Sequence, residues 1–437
     1  MSAAPHVFRS ARIDGRRRSR AVEAHLVRAL PLWGAVLAAV AIVSRRPDAI
    51  TNAQFWAEDG TMFFADVYRH GLLASMLVPQ SGYFQELPLL ASGLATLVPL
   101  KLAPLVMNLV ALAIRVLPVG LLLHRRARSI SPHLWARVVI AVLYVGLPGV
   151  AETNVNVDNA LWYLAIAALI TLMLEPPRHR AARALDGAIL SMCAVTGVFS
   201  IALAPLAVLY RRRVGAARVP TWMIAILGAG ALLQLFAIGF LEFHLPAGFD
   251  AAPRTTLSLH ATALLFLEIV GRRVVLQPLG LEHTQLAPVG IALTGLLGLI
   301  AFGEAFRRGN DPLRLLLAFA GALLAMALAH PQGATWAQLA QPLNSGRYFV
   351  IPQYAAAAAL LWHAANSRRW IRAGTGLALC FVVAVAIPAG WRYAPFQNLH
   401  FQSQATRFAH ARPGTTMTFP LNPVGRTPRW AMTLVKR

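Results

Sequence analysis

The chain has 437 residues, of which 57% are hydrophobic and 13% charged, with a formal net charge of +23. Soluble globular domains carry about 25% charged residues, and the apolar residues here recur in blocks of about 17–22, the length that spans a hydrocarbon core. An ordinary soluble protein is excluded. So is a nucleic-acid reading of the net charge, because the arginines stand in short runs between apolar blocks, the pattern that orients a polytopic membrane protein.

The first basic run is Arg9, Arg12, Arg16, Arg17, Arg18, Arg20 and Arg28, ahead of the apolar block Leu30 to Ser44. A signal peptide could begin this way. Several spans follow, however, so the block reads as a first transmembrane helix with a cytoplasmic N-terminal segment over residues 1–25. Further apolar blocks run at about 103–123, 134–150, 160–174, 184–210, 220–241, 285–306, 312–329, 347–365 and 373–390. Alternate loops hold Arg125–Arg128, Arg178–Arg183, Arg211–Arg218, Arg307–Arg314 and Arg368–Arg372. With the N-terminus these runs hold 23 of the 40 basic residues, which places them on the cytoplasmic side. The block from Ala184 to Tyr210 is too long for one span and has basic runs at both ends. Thr196-Gly197 and Ser200 near its middle predict two short helices meeting in a protein-buried hairpin.

The fold class expected is all-α: a polytopic membrane protein of about eleven transmembrane helices over residues 26–390. Its first outer loop, 45–102, is expected to carry two interface helices, Thr61 to Leu73 and Leu87 to Leu97. An odd number of spans puts the tail, 391–437, on the outer side, expected to pack there.

With that orientation, ten of the 17 acidic residues fall in outer loops or their margins. Glu58-Asp59 stand out, adjacent carboxylates beside Phe55 and Trp56, which place them at headgroup depth, where a carboxylate is costly to hold. Partial desolvation raises a carboxylate pKa, as a general base requires. Asp66, seven residues on, shares a helical face with Asp59. The next outer loop, Glu152 to Asn159, ends at Trp162-Tyr163 and offers Glu152, Asn156 and Asn159 to a hydroxyl-rich ligand, while Asp158 or Asn159 is a candidate cap of the following helix. At the outer start of a late span, Arg347 is positioned to hold a phosphate or, equally, to snorkel to headgroups. Arg254, Arg272 and Arg273 are further cationic candidates. His244, His260, His283 and His330 are scattered without ligand spacing, and Cys193 and Cys380 lie within apolar blocks as small core residues.

These stretches together resemble the GT-C superfamily of integral-membrane glycosyltransferases. Glu58-Asp59 through His70-Gly71, then Val78-Pro79, Gly82-Tyr83-Phe84, Glu86 and Pro88, are similar to the first outer loop of the aminoarabinose and protein-mannosyl branches. The Thr196-Gly197 hairpin and Arg347-Tyr348 are similar to that superfamily as well. Trp56-Ala57-Glu58-Asp59-Gly60 and the Glu152–Trp162 run are similar to uncharacterised bacterial membrane proteins, which implies a bacterial cytoplasmic (inner) membrane as the location. Two departures stand: the acidic pair reads Glu-Asp, and Glu86-Leu87-Pro88 lacks the lysine of the branch motif.

The resemblance implies an inverting transfer of a sugar from a polyprenyl-phosphate donor to a lipid, glycan or protein acceptor of the cell envelope. Asp59 is then the favoured base, with Glu58 the other choice. Asp66, Tyr83, Glu86, Glu152, Asn156, Asn159, Arg347 and Tyr348 become substrate-binding candidates. No organic cofactor is implied; a divalent cation, magnesium or manganese, held by Asp59 or Glu58 and the lipid phosphate, is compatible with it. The partners expected are the lipid-linked donor, the acceptor and the bilayer, and no nucleic acid. A transporter or flippase and a non-catalytic partner in envelope polysaccharide assembly are the rival readings.

Overall fold

The structure is a computed structural model that describes residues 29–241, 259–331, 334–342, 345–425 and 429–437. Helix makes up 71% and strand 4%, so the all-helical expectation holds apart from a hairpin in the tail. Five helices among the described residues are long and apolar enough to cross a membrane: Leu100–Leu123, Thr221–Phe240, Pro288–Arg308, Asp311–Ala329 and Arg369–Ala389. Their outward faces expose residues such as Leu232, Phe240, Leu297 and Leu377, which suit a lipid environment.

The expected eleven spans are not reached by helix length. Ala29–Arg45, Leu134–Gly146 and Ala160–Met173 are apolar but shorter. Ala160–Met173 is one such block that helix length does not confirm as a span. All of its 14 residues are buried, and at 1.5 Å per residue it covers only about 21 Å of a hydrocarbon layer about 30 Å thick. It is a core helix clothed by protein.

The hairpin forms where the sequence places it. Arg180–Ala194 and Phe199–Val214 meet at a turn in which Thr196 is fully buried and Gly197 takes a φ of +79°, a region open to glycine at little cost. A buried turn needs partners for its backbone. The first loop supplies them: the Gly197 N–H donates to the Phe84 carbonyl (2.9 Å), the Glu86 N–H to the Val195 carbonyl (3.3 Å), and the Leu87 N–H to Thr196 Oγ1 (3.1 Å). Gln234, fully buried in the Thr221–Phe240 helix, accepts from the Phe84 N–H (2.9 Å) and donates to the Phe84 and Ala194 carbonyls.

In the first loop a π-helical turn, Asp59–Phe64, runs into Ala65–His70 and stops at Gly71. The second predicted helix is Glu86–Ala95. Phe55 is buried against Phe64 (ring centroids 4.9 Å apart) and Phe401 (5.3 Å), and the half-buried Trp56 packs on Phe396, so both aromatics beside Glu58 have protein partners.

Their partners come from the tail. It folds as helix Phe401–His410 followed by an antiparallel pair, Thr416–Pro420 with Ala431–Val435, in register Thr416 to Val435. Phe419 is buried between Phe401 and Phe408, and the Ala57 N–H donates to the Asn422 carbonyl. The tail therefore pins the loop that carries Glu58 and Asp59.

The arginine runs gather at the other end of the bundle. Arg126 grips Asp186 with two bonds (2.9 and 2.5 Å), joining the end of one helix to the start of another, and Asp311 takes Arg213 (2.8 Å) and Arg314 (3.0 Å).

Candidate functional site

The Glu152–Asn159 loop is built by its own side chains. Asn156 donates to the Glu152 carbonyl (2.6 Å) and its amide oxygen accepts from both the backbone and side-chain nitrogens of Asn159 (3.0 and 2.8 Å). Thr153 Oγ1 lies 2.6 Å from the Tyr163 hydroxyl, and Arg115 donates to Asn154 Oδ1 at 2.7 Å. These bonds hold Val155 at φ +57°, a region a β-branched residue seldom enters. Asn156 and Asn159, expected to bind substrate, are each 1% exposed and bonded to one another inside the loop, while Asn159 Oδ1 has no hydrogen-bond partner.

The strained loop turns successive N–H groups toward the first loop. Val157 donates to Asp59 Oδ2 (3.1 Å) and Asp158 to Asp59 Oδ1 (2.8 Å). Asp59 is 1% exposed with both oxygens engaged. Burial pushes its pKa up to about 7 against the pull of those N–H donors, and Glu58 adds to the rise. Asp59, expected as the base, thus joins the two loops through both of its oxygens. Glu58 and Asp158, both half-buried, flank it. Burial raises the Asp158 pKa well above the carboxylate range, and Glu58 and Asp59 push it further, while Arg347 opposes them.

Arg347 closes the cluster from the late span. Its Nη1 donates to Glu152 Oε1 at 2.7 Å and its backbone N–H to Glu152 Oε2 at 3.2 Å. Gly346 permits the close approach: a Cβ there would stand 3.3 Å from Glu152 Oε2. Burial works against the guanidinium charge, but Tyr348, Glu152, Glu58 and Asp158 overcome it, so Arg347 stays protonated. Its guanidinium lies 5.1 Å from the Tyr348 ring centre, and Tyr348 meets Trp162 edge-on. Tyr83 shares this field; burial raises its phenol pKa, with Asp158 and Tyr348 adding to it. The structure thus brings together Glu58, Asp59, Tyr83, Glu152, Arg347 and Tyr348, as expected, and adds Asp158, which the sequence offered only as a helix cap.

Two expected residues lie elsewhere. Asp66 accepts from Gln80 Nε2 (3.1 Å) and lies 3.9 Å from His70. Glu86 faces the hairpin turn, where burial pushes its pKa up to about 7 and its Oε2 has no hydrogen-bond partner. Among the other candidates, Arg273 is fully buried, bonding Gln277 and the Leu339 and Gln341 carbonyls, and Arg272 donates to the Glu282 carbonyl. Both are structural. His283 and His330 are exposed, and Arg254 and His244 lie outside the described residues.

The donor set does not fit a divalent ion unaided. Both Asp59 oxygens face backbone N–H groups and both Glu152 oxygens face Arg347. Among the described residues, no three His, Cys, Asp or Glu side chains are disposed to hold a metal ion. What the arrangement offers chemically is a high-pKa carboxyl, Asp158, with Glu58 beside it and a fixed guanidinium across from both. Comparison of the chain with protein families, curated proteins and solved structures finds no match.

Proposed function

We propose that the chain is a membrane glycosyltransferase that moves a sugar from a polyprenyl-phosphate donor to an envelope lipid, glycan or protein acceptor, with inversion at the anomeric carbon. The observation that carries this reading is the convergence of Asp158, whose N–H holds Asp59, with Glu152 and the Arg347 guanidinium that Glu152 binds. In its carboxylate form, which Arg347 favours, Asp158 accepts the proton of the acceptor hydroxyl as the acceptor oxygen bonds to the anomeric carbon. The bond from that carbon to the donor phosphate breaks, and the electron pair leaves with the phosphate. Arg347 stabilises the charge that develops there. Glu58 supports the high Asp158 pKa, and Asp59 locks both loops in place.

Orientation supports the reading. The arginine-rich end belongs to the cytoplasm by the positive-inside rule, which puts the carboxylate cluster at the outer end, where lipid-linked sugars replace nucleotide donors. Reconstitution in vesicles with a panel of polyprenyl-phosphate sugars tests it: the wild type releases polyprenyl phosphate and Asp158→Asn does not. Equal release by the two would remove Asp158 from the role of base. One observation favours a transporter as the second reading: Arg115, buried within a span, has Nε and Nη2 without hydrogen-bond partners.

A further inference from the structure

The last turn of the Pro288–Arg308 helix and the start of the Arg369–Phe381 helix stand on either side of a groove of about 520 Å³. Ile300, Glu304, Arg307 and Arg308 line one wall; Arg368 and Ile371 line the other. The Val350–Asn366 helix links the walls, with His363 Nε2 3.0 Å from the Ala301 carbonyl and Arg372 donating to the Ser367 carbonyl beyond it. The carboxylate cluster lies at the opposite end of that same 17-residue helix, about 25 Å away at 1.5 Å per residue.

The charges in the groove do not cancel. Glu304 is taken by Arg308 at 2.9 Å. Among the described residues, the Arg307 and Arg368 side chains have no hydrogen-bond or ion-pair partner, and both are exposed. Apolar surface borders them: Ile300 is 60% exposed and Ile371 45%, and Trp370, at 80%, stands where an aromatic anchor meets the headgroup layer. Two unpaired guanidiniums above exposed aliphatic walls match a phosphodiester with acyl chains attached; a free phosphate would leave the walls without a role.

We infer that this groove binds an anionic phospholipid, its phosphodiester between Arg307 and Arg368 and its acyl chains along Ile300 and Ile371. Arg308, held by Glu304, marks the rim. The site does not depend on the transferase reading.

The test uses the purified full-length chain in nanodiscs or mixed micelles, titrated with phosphatidylglycerol or phosphatidylcholine and read by native mass spectrometry. Phosphatidylglycerol is expected to bind about tenfold more tightly than phosphatidylcholine. Each arginine removed weakens it about fivefold, the change that about 1 kcal/mol per basic residue produces. Arg307→Gln with Arg368→Gln therefore lowers phosphatidylglycerol affinity about 25-fold, and Arg178→Gln with Arg180→Gln, at exposed positions outside the groove, leaves it unchanged. Should the double variant fail to fold, each single variant carries the fivefold test. Equal binding of the two lipids, an equal loss in the control variant, a single variant that binds as wild type, or displacement by millimolar inorganic phosphate would overturn the inference.

Discussion

Glu152 holds Arg347 twice, through the guanidinium at 2.7 Å and through the backbone N–H at 3.2 Å, across 195 positions of sequence. The bond ties the second loop to the start of the Val350–Asn366 helix, and it is unequal in its consequences. Arg347 faces Glu58 and Asp158 as well as Glu152, whereas Glu152 has Arg347 as its ion-pair partner. Removing the acid leaves the guanidinium with two carboxylates; removing the guanidinium leaves four carboxylates facing one another. Arg347→Gln is expected to lower the unfolding temperature more than Glu152→Gln at pH 7.5, and the gap should narrow at pH 5, where Asp59 and Asp158, both of raised pKa, are protonated. Thermal unfolding of both variants at the two pH values checks this.

Asp59 gives stability a pH signature. Its pKa is about 7 in the folded chain against 3.8 ordinarily. Between those values the folded state keeps a proton that the unfolded state has released, so stability falls as pH rises from about 4 to 7 and levels above. Glu86, also raised to about 7, has the same sign. Asp59→Asn should flatten the decline while lowering the whole curve, because one carboxylate oxygen that accepted an N–H becomes an amide donor facing it. Unfolding temperature against pH for wild type and variant reads the slope directly.

Gly149 sets the near end of the second loop. It sits at φ +79°, and a Cβ there would meet the Gln277 amide nitrogen at 2.0 Å; that amide donates to the Gly149 carbonyl. Gly149→Ala combines a strained conformation with a clash and should cost about 1–3 kcal/mol. Thermal or denaturant unfolding in detergent measures it.

Gln234→Leu tests the brace between first loop and hairpin. The Phe84 carbonyl keeps its bond from Gly197, but the Phe84 N–H is left buried without an acceptor. An orphaned N–H costs about 1–3 kcal/mol. Hydrogen exchange around residues 83–87 should rise in this variant, well beyond the change at Ala160–Met173.

The hairpin was legible in the sequence because Thr196-Gly197 and Ser200 interrupt an apolar run too long for one span with basic residues at both ends. The joining of Glu58-Asp59 to the second loop and Arg347 was legible for a similar reason: polar residues at one end of apolar helices have few places to go. The role of Asp59 was not. Its commitment to the Val157 and Asp158 N–H groups depends on Val155 taking a positive φ, which valine does not advertise. The part Asn156 and Asn159 play in building the loop was not legible either, since amides that build a loop and amides that bind a sugar look alike in sequence. Asp158 was masked by its place just before a helix, where a capping residue is expected, yet Ala160–Met173 has no side-chain cap. The tail was legible only as packing on the outer side, because the contact of Phe419 with Phe401 and Phe408 is set by a strand pairing across 11–19 positions.

The central claim is that Asp158, backed by Arg347, performs sugar transfer at the outer end of the bundle. Asp158→Asn should lower transfer about 10²-fold or more while its unfolding temperature stays at or above that of the wild type, since it removes one of four crowded carboxylates. Mass spectrometry of cell-envelope glycans tests this most directly, in cells lacking the chain and in the same cells given back wild type or Asp158→Asn at equal membrane abundance. A glycan mass corresponding to one added sugar is expected to disappear without the chain, return with wild type and stay absent with Asp158→Asn. An unchanged glycan profile without the chain, or full return with Asp158→Asn, would contradict it.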